Sequence, residues 1–229
     1  MGVPLTTGQL RSNIVDMKIG DYIVWRSDGL KYHMDDQTDG TERPVIGATS
    51  IALPYANTYW YGIKVDKGLI ISDRVVEHTV SWDTLNNSKR IQGISIELAD
   101  GTRGTMRSLT GGVSFTDEKG GSSMTDKLLG GFPINNEWDR YIMNFPTNKI
   151  QSGKTLDDVF HVDRNANPNI PYTLTQETPI LGFVSINNVV ATNVHRIARV
   201  KFSSSFVSHL ASSTSGNYAG FRPVFEYIE

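Results

Sequence analysis

Residues 22–33 read Tyr-Ile-Val-Trp-Arg-Ser-Asp-Gly-Leu-Lys-Tyr-His. Aromatic and β-branched residues fill both flanks, and Asp28-Gly29 lies between them. Asp-Gly supplies the positive φ that a tight reversal needs, so the stretch predicts a β-hairpin. The same pattern continues outward. Tyr59, Tyr61, Ile63 and Val65 alternate on one face, and residues 69–72 carry it on. Over 74–82, Val76, His78, Val80 and Trp82 share a face and predict a further strand. Ile94, Ile96 and Leu98 lead into Asp100-Gly101, a second hairpin signal. Strands are expected again over 181–186, 194–206 and 221–228.

Helical signals are fewer and shorter. Thr6-Thr7-Gly8-Gln9 has the form of a capping box. Leu10, Ile14 and Met17 follow at helical spacing, with Gly20 as the stop, so a short N-terminal helix is expected. Two short helical pieces are expected over 125–129 and 136–143, the second with Trp138, Tyr141 and Ile142 on one side. Residues 110–123, rich in Gly, Ser and charge, read as a surface loop, and the chain is loop-rich from Pro146 to Pro179. The fold class is therefore α+β and β-rich, with N-terminal β-hairpins and a short N-terminal helix. Residues 1–110 form an N-terminal docking part and 111–229 a second part, in one continuous domain.

Composition narrows the function. Lys plus Arg is 22 and Asp plus Glu is 24 in 229 residues, a net charge of −2. That balance gives no electrostatic case for nucleic acid, whose binding rests on clustered basic charge. With no cysteine there is no disulfide, no thiolate metal site and no cysteine nucleophile. No apolar run reaches the ~18 residues of a membrane span, and no signal peptide is expected.

The common catalytic motifs do not occur in the sequence. The five histidines hold no His-Glu-x-x-His, the glycine pairs precede no Gly-Lys-Ser/Thr, and no Gly-x-Ser-x-Gly elbow occurs. Asp35-Asp36 and Asp157-Asp158 are sequence neighbours whose side chains point apart. His78 reads as a core histidine. His195 is expected on the polar side of its strand with Arg199 and Lys201. Asp163, Asn165 and Asn167 alternate as a calcium loop begins, but Pro168 stands where that loop needs Gly and Leu174 where it needs Glu. An Asx-rich turn is the alternative to a looser calcium site. No other cofactor is implied.

The stretch most like a binding surface is the last fifty residues. Asn187, Asn188, Asn193, His195, His209, Asn217 and Tyr218, with Tyr172 upstream, crowd small polar and aromatic groups around a few strands. Such groups give adaptable hydrogen bonding and rigid contact area.

Two resemblances add to this. Phe132-Pro133-Ile134-Asn135-Asn136-Glu137-Trp138-Asp139-Arg140-Tyr141-Ile142 resembles a segment of the C-type-lectin-like domain of the formylglycine-generating-enzyme type. The closing Ala219-Gly220-Phe221-Arg222-Pro223-Val224 resembles the Gly-Phe-Arg that ends its last strand. The resemblance implies a C-type-lectin-like fold for 111–229, with Trp138, Phe221 and Arg222 as architecture. The oxidase chemistry of that family needs cysteines this chain lacks. The second resemblance covers most of the chain. Pro4 to Ile14, Ile19 to Ile23, Ser81 to Asn86, Arg107 to Gly112, Asn136 to Ile142, Thr175 to Pro179 and Gly220 to Tyr227 are similar to structural proteins of phages and prophages of Bacillus and Clostridium relatives. It implies a virion part made in the bacterial host and a homo-oligomer among other virion proteins. The expected function is non-enzymatic. Tail-tip, fibre or capsid-surface loops near 163–175, 185–195 and 207–219 would bind a saccharide or protein of the host cell surface. The alternatives are a decoration or connector subunit with no receptor role, and a sugar-cleaving enzyme whose carboxylates converge from distant segments.

Overall fold

The computed structural model describes residues 2–45, 57–125, 130–185, 188–201 and 207–229. In chain order the strands begin with β1 (Leu10–Arg11), β2 (Tyr22–Ser27), β3 (Tyr32–Asp35), β4 (Thr41–Glu42), β5 (Thr58–Asp66), β6 (Leu69–Ser72) and β7 (Glu77–His78). Helix α1 (Trp82–Asn87) precedes β8 (Ile94–Glu97) and β9 (Arg103–Arg107), and β10 (Ser114–Thr116), β11 (Ser122–Ser123) and β12 (Gly131–Phe132) follow. After a π-helical stretch at Trp138–Met143 come α2 (Asp157–Phe160), β13 (Tyr172–Leu174), β14 (His195–Arg199), β15 (Val207–Ala211), β16 (Ala219–Phe221) and β17 (Val224–Tyr227). Strands make up 34% of the described residues and helices 11%, so the β-rich α+β expectation holds.

The 22–33 stretch does form a hairpin. β2 and β3 pair with Ser27 opposite Tyr32, so the loop is four residues, 28–31. Gly29 takes φ +92°, and the Asp28 carboxylate accepts from the amides of Leu30 and Lys31 at 2.8 Å each. The second Asp-Gly hairpin joins β8 to β9. The main sheet runs β1-β2-β5-β6-β17-β9-β8, with β3 beside β2 and β4 beside β5. The last strand, β17, is thus inserted between β6 and β9, and β16 pairs with β7 in a second sheet ordered β15-β14-β13-β16-β7.

The main sheet is covered on both faces, which explains the long apolar run of β5. One face carries Trp25, Trp60, Ile70 and Phe225. Trp25 and Trp60 are opposite one another in the ladder with ring centroids 5.5 Å apart. Such aromatic pairs add about 0.5–1.5 kcal/mol beyond their buried area. The other face carries Ile63, Ile71 and Val224 against Trp138, Ile142, Phe145 and Phe160. Two buried guanidinium groups approach the Trp138 ring, Arg199 at 5.7 Å and Arg222 at 5.9 Å from its centre.

Several expectations are corrected. The N-terminal helix is absent: Leu10 pairs in parallel with Tyr22, and only Ile14–Asp16 winds, as one 3-10 turn. The Thr6 hydroxyl donates to Gly20 O at 2.6 Å and the Gln9 amide to the Asp21 carboxylate at 2.9 Å, so both capping-box residues bind the following segment. The 74–82 strand shortens to β7, because Thr79 takes φ +61° and Ser81 caps α1 by accepting from the Thr84 amide at 3.0 Å. His78 is buried there, as expected. The 110–123 loop contains β10 and β11, anchored by the buried Phe115. Residues 136–143 are helical but wound as a π-helix. The expected 125–129 helix lies mostly outside the described residues. Within the expected 181–186 strand only the Val184–Val190 bridge forms among the described residues, 186 lying outside them; the 194–206 strand shortens to β14, with 202–206 outside the described residues; and the 221–228 strand breaks at Arg222-Pro223. Proline has no amide to continue the ladder. Arg199 is fully buried, not on a polar face: its guanidinium ends against Asp139 and Gly111 O.

Candidate functional site

β14 and β15 are antiparallel, with His195 opposite Ala211 and Ile197 opposite His209. Paired and alternate residues share a face, so His195 and His209 are diagonal neighbours on one side of the sheet. Their ring centroids are 4.5 Å apart, edge to face. His195 Nδ1 accepts from the Thr192 amide at 3.0 Å and lies 2.9 Å from the Thr192 hydroxyl. His209 Nε2 is 3.0 Å from Val189 O. A carbonyl only accepts, so His209 carries its proton on Nε2, and the amide bond assigns the lone pair of His195 to Nδ1. Phe183 packs on the His209 ring at 5.7 Å. Burial holds the His209 imidazole below its ordinary range.

Tyr172 opens β13 beside the start of β16. Its amide donates to Tyr218 O at 2.7 Å, and it pairs with Ala219. The Arg164 guanidinium covers Tyr172, 5.0 Å from the ring centre. Burial raises the Tyr172 phenol. These elements enclose a groove of 360 Å³ lined by Tyr172, His195, Ser208, His209, Leu210 and Tyr218, among others. Among the described residues no Asp, Glu, Lys or Arg lines it. Tyr218 is 39% exposed at its rim.

Four of the eight expected binding residues therefore converge: Tyr172, His195, His209 and Tyr218. Three do not line the groove. Asn188 is exposed at φ 57° in a turn closed by its amide on Ser185 O at 2.9 Å. Asn193 is exposed and its carbonyl accepts from Arg196 at 2.8 Å. Asn217 is exposed in the turn before β16. Asn187 lies outside the described residues. Ser185, Val189 and Leu210 line the groove without having been singled out. Val189 and Leu210 carry no chemical signal in sequence, and only the β14–β15 register brings them in.

The alternating Asx run folds as turns. Asp163 Oδ2 accepts from Lys201 Nζ at 2.6 Å and Oδ1 from the Asn165 amide at 2.9 Å. Asn167 Oδ1 accepts from the Asn169 amide at 3.1 Å. Among the described residues no cluster of three or more His, Asp or Glu side chains could hold a metal ion. A larger concavity of 600 Å³ lies on the open end of the main sheet, where Glu97 pairs with Arg103 at 2.8 Å and Glu226 with Arg107 at 3.0 Å. Its charges satisfy one another.

No family model, curated protein or solved structure matches the chain. Among the described residues no helix is long and apolar enough to cross a membrane.

Proposed function

We propose that the chain is a non-enzymatic binding protein whose ligand occupies the groove between Tyr172, His195, His209 and Tyr218. The observation that carries this is the convergence of those four side chains, drawn from three strands and a turn, on one concave surface. His195 holds the Thr192 amide and His209 the Val189 carbonyl, which supports a shaping role for both imidazoles over an acid–base one. A neutral lining favours an uncharged ligand, because a charged one would lose water without gaining a counter-charge. In keeping with the phage and prophage resemblance, we place the protein in a virion, as a homo-oligomer contacting the host cell surface. A C-type-lectin-like arrangement of 111–229 belongs to the same proposal. The burial of Trp138 on its helical turn and of Phe221 and Arg222 at the end of β16 supports it.

A second reading is a decoration or connector subunit. Leu181, Val189, Val190 and Val194 favour it, being 48–68% exposed within one short segment. Exposed apolar groups close together mark protein contact surfaces.

The test is a pull-down of the purified protein with Bacillus cells and with isolated cell-wall polysaccharide. Saturable binding that Tyr218→Ala weakens by about tenfold or more supports the receptor reading. Binding that Tyr218→Ala leaves unchanged overturns the groove as its seat. No binding, with co-assembly onto other virion proteins, supports the connector.

A further inference from the structure

We propose that Lys64, Tyr227 and Gly68 form a carboxylate-binding cradle, filled in the resting chain by the Glu229 side chain and open to a carboxylate of another molecule once residues 228–229 swing away. The site shares no residue with the groove. Its starting point is β5, where Trp60, Gly62 and Lys64 alternate on one face. That face meets the core filled by Trp25, Ile70 and Phe225, so Lys64 is directed inward and is only 2% exposed.

Three donors converge on one carboxylate. The Lys64 ammonium lies 4.7 Å from the centre of the Tyr227 ring and donates to the Tyr227 hydroxyl at 2.5 Å. That hydroxyl is 3.2 Å from Ile14 O and 3.2 Å from Glu229 Oε1. A phenol and a carbonyl leave the buried charge unneutralised. Among the described residues the one ion-pair partner of Lys64 is the Glu229 carboxylate, whose side chain is 28% exposed. The Gly68 amide, in the turn between β5 and β6, donates to the same carboxylate. The Lys64 ammonium, with the Gly68 amide and the Tyr227 hydroxyl beside it, holds the Glu229 carboxyl below its ordinary range.

The donors are fixed by the sheet and the occupant is not. The Lys64 amide donates to Asp21 O and its carbonyl accepts from the Gly20 amide, at 2.9 Å each. Tyr227 pairs with Gly104 of β9, and its amide donates to Gly68 O at 2.9 Å. Beyond Tyr227 no backbone hydrogen bond among the described residues holds 228 or 229, and Ile228 is 97% exposed. Glu229 is thus held by its carboxylate. When it leaves, the ammonium keeps its burial and loses its counter-charge, which is the costly state of a buried pair. A carboxylate arriving from the solvent side relieves that state. In the resting chain the tethered Glu229 acts at high effective concentration and keeps weaker carboxylates out.

Chemical rescue of Glu229→Ala in the full chain tests this, with sodium acetate as the probe and sodium chloride of equal ionic strength as the control. Alanine removes the carboxylate and leaves its volume free. The variant should melt about 5 °C or more below the wild type. Acetate at about 0.2 M should restore roughly half of that loss or more, saturably, and chloride should not. The wild type should gain nothing from acetate beyond the chloride control, because Glu229 already fills the site; this arm separates the chain's own carboxylate from an external one. Lys64→Met combined with Glu229→Ala removes both charges and should abolish the acetate effect. If Glu229→Ala does not fold alone, the same titration reads recovery of the folded signal in acetate against chloride. The cradle is overturned by a Glu229→Ala variant that melts with the wild type, or by an acetate effect no larger than that of chloride. An acetate gain of equal size in the wild type or in the double variant overturns it as well.

Discussion

The Arg199 guanidinium on β14 meets the Asp139 carboxylate of the π-helical turn, Nη2 to Oδ1, at 2.5 Å across 60 residues of sequence. Asp139 also accepts from the Gly131 amide at 2.7 Å and the Asn136 side chain at 2.8 Å, and Arg199 donates to Gly111 O at 2.5 Å. One buried pair thus joins the second sheet, the β10–β12 sheet and the Trp138 turn. Asp139→Ala would leave a fully buried guanidinium without its counter-charge. The expected loss is about 3–5 kcal/mol, read from urea denaturation. Replacement of both residues by apolar ones of similar volume should recover part of it. A loss below ~1 kcal/mol for Asp139→Ala would show that this joint does not hold the sheets together.

Gly220 is the point where the last strands join the first half. A Cβ there would lie 1.9 Å from Glu77 O, a backbone atom of the paired strand β7. Relief requires β16 and β7 to separate. Gly220→Ala should destabilise the chain by about 1–3 kcal/mol, or more if the sheet cannot shift. Gly101→Ala is a useful contrast, since no atom lies within 4 Å of its Cβ position. That site has φ +89°, so only its backbone is strained. Thermal melts of the two variants compare crowding with conformational strain directly.

Ser81 fixes where β7 ends and α1 begins. Its hydroxyl accepts from the Thr84 amide at 3.0 Å, one of the unpaired donors of the first turn. Ser81→Ala should cost about 1 kcal/mol, and Ser81→Asp close to none. Equal melting temperatures for Ala and the wild type would remove the cap from the account.

The hairpins at Asp28-Gly29 and Asp100-Gly101 were legible because a two-residue code specifies their backbone. The 74–82 segment misled for a local reason. Val76, His78, Val80 and Trp82 alternate as a strand should, yet Thr79 turns left-handed at φ 61°. The Ser81-x-x-Thr84 cap was the available counter-signal. The N-terminal capping box failed because Asp21, which lies 12 residues beyond Gln9, takes the Gln9 amide. Short-range codes are overridden when a buried carboxylate needs donors. Asp21 gathers three, from Gln9, Arg11 and Lys18. At the site, aromatic and imidazole residues carried the signal and asparagines did not. Asn188 stabilises a left-handed turn, a use of asparagine that composition cannot separate from ligand binding.

The Asx loop at 163–169 predicts indifference to calcium. Asp163 already receives the Lys201 ammonium, which together with the Asn165 amide holds its carboxyl below the usual range. A cation would have to displace a cation. Calcium at about 1 mM should therefore leave the melting temperature unchanged, and Lys201→Met should lower stability by removing the counter-charge. A calcium-dependent rise in melting temperature in the wild-type chain would overturn this.

Stability should decline in two steps as the solution is acidified. Burial depresses His78, His161 and His209 in the folded chain. An unfolded chain takes up protons at these sites near pH 6.5, before the folded one does. Stability rises with pH wherever the unfolded state binds more protons, so it is full above pH 6.5 and falls as pH drops through and below that value. Asp66 and Asp158 add the second step. The Tyr141 hydroxyl lowers Asp66, and the Thr155 amide lowers Asp158. Their contribution is present above the ordinary carboxyl value of 3.8 and disappears as pH falls further. Melting temperatures measured from about pH 8 to pH 3 should hold level, then decline below the imidazole range, then decline more steeply below the carboxyl range. His209→Gln and His161→Gln should each flatten the first decline and leave the second in place. A first decline of unchanged size in a variant that combines both would assign it to other groups.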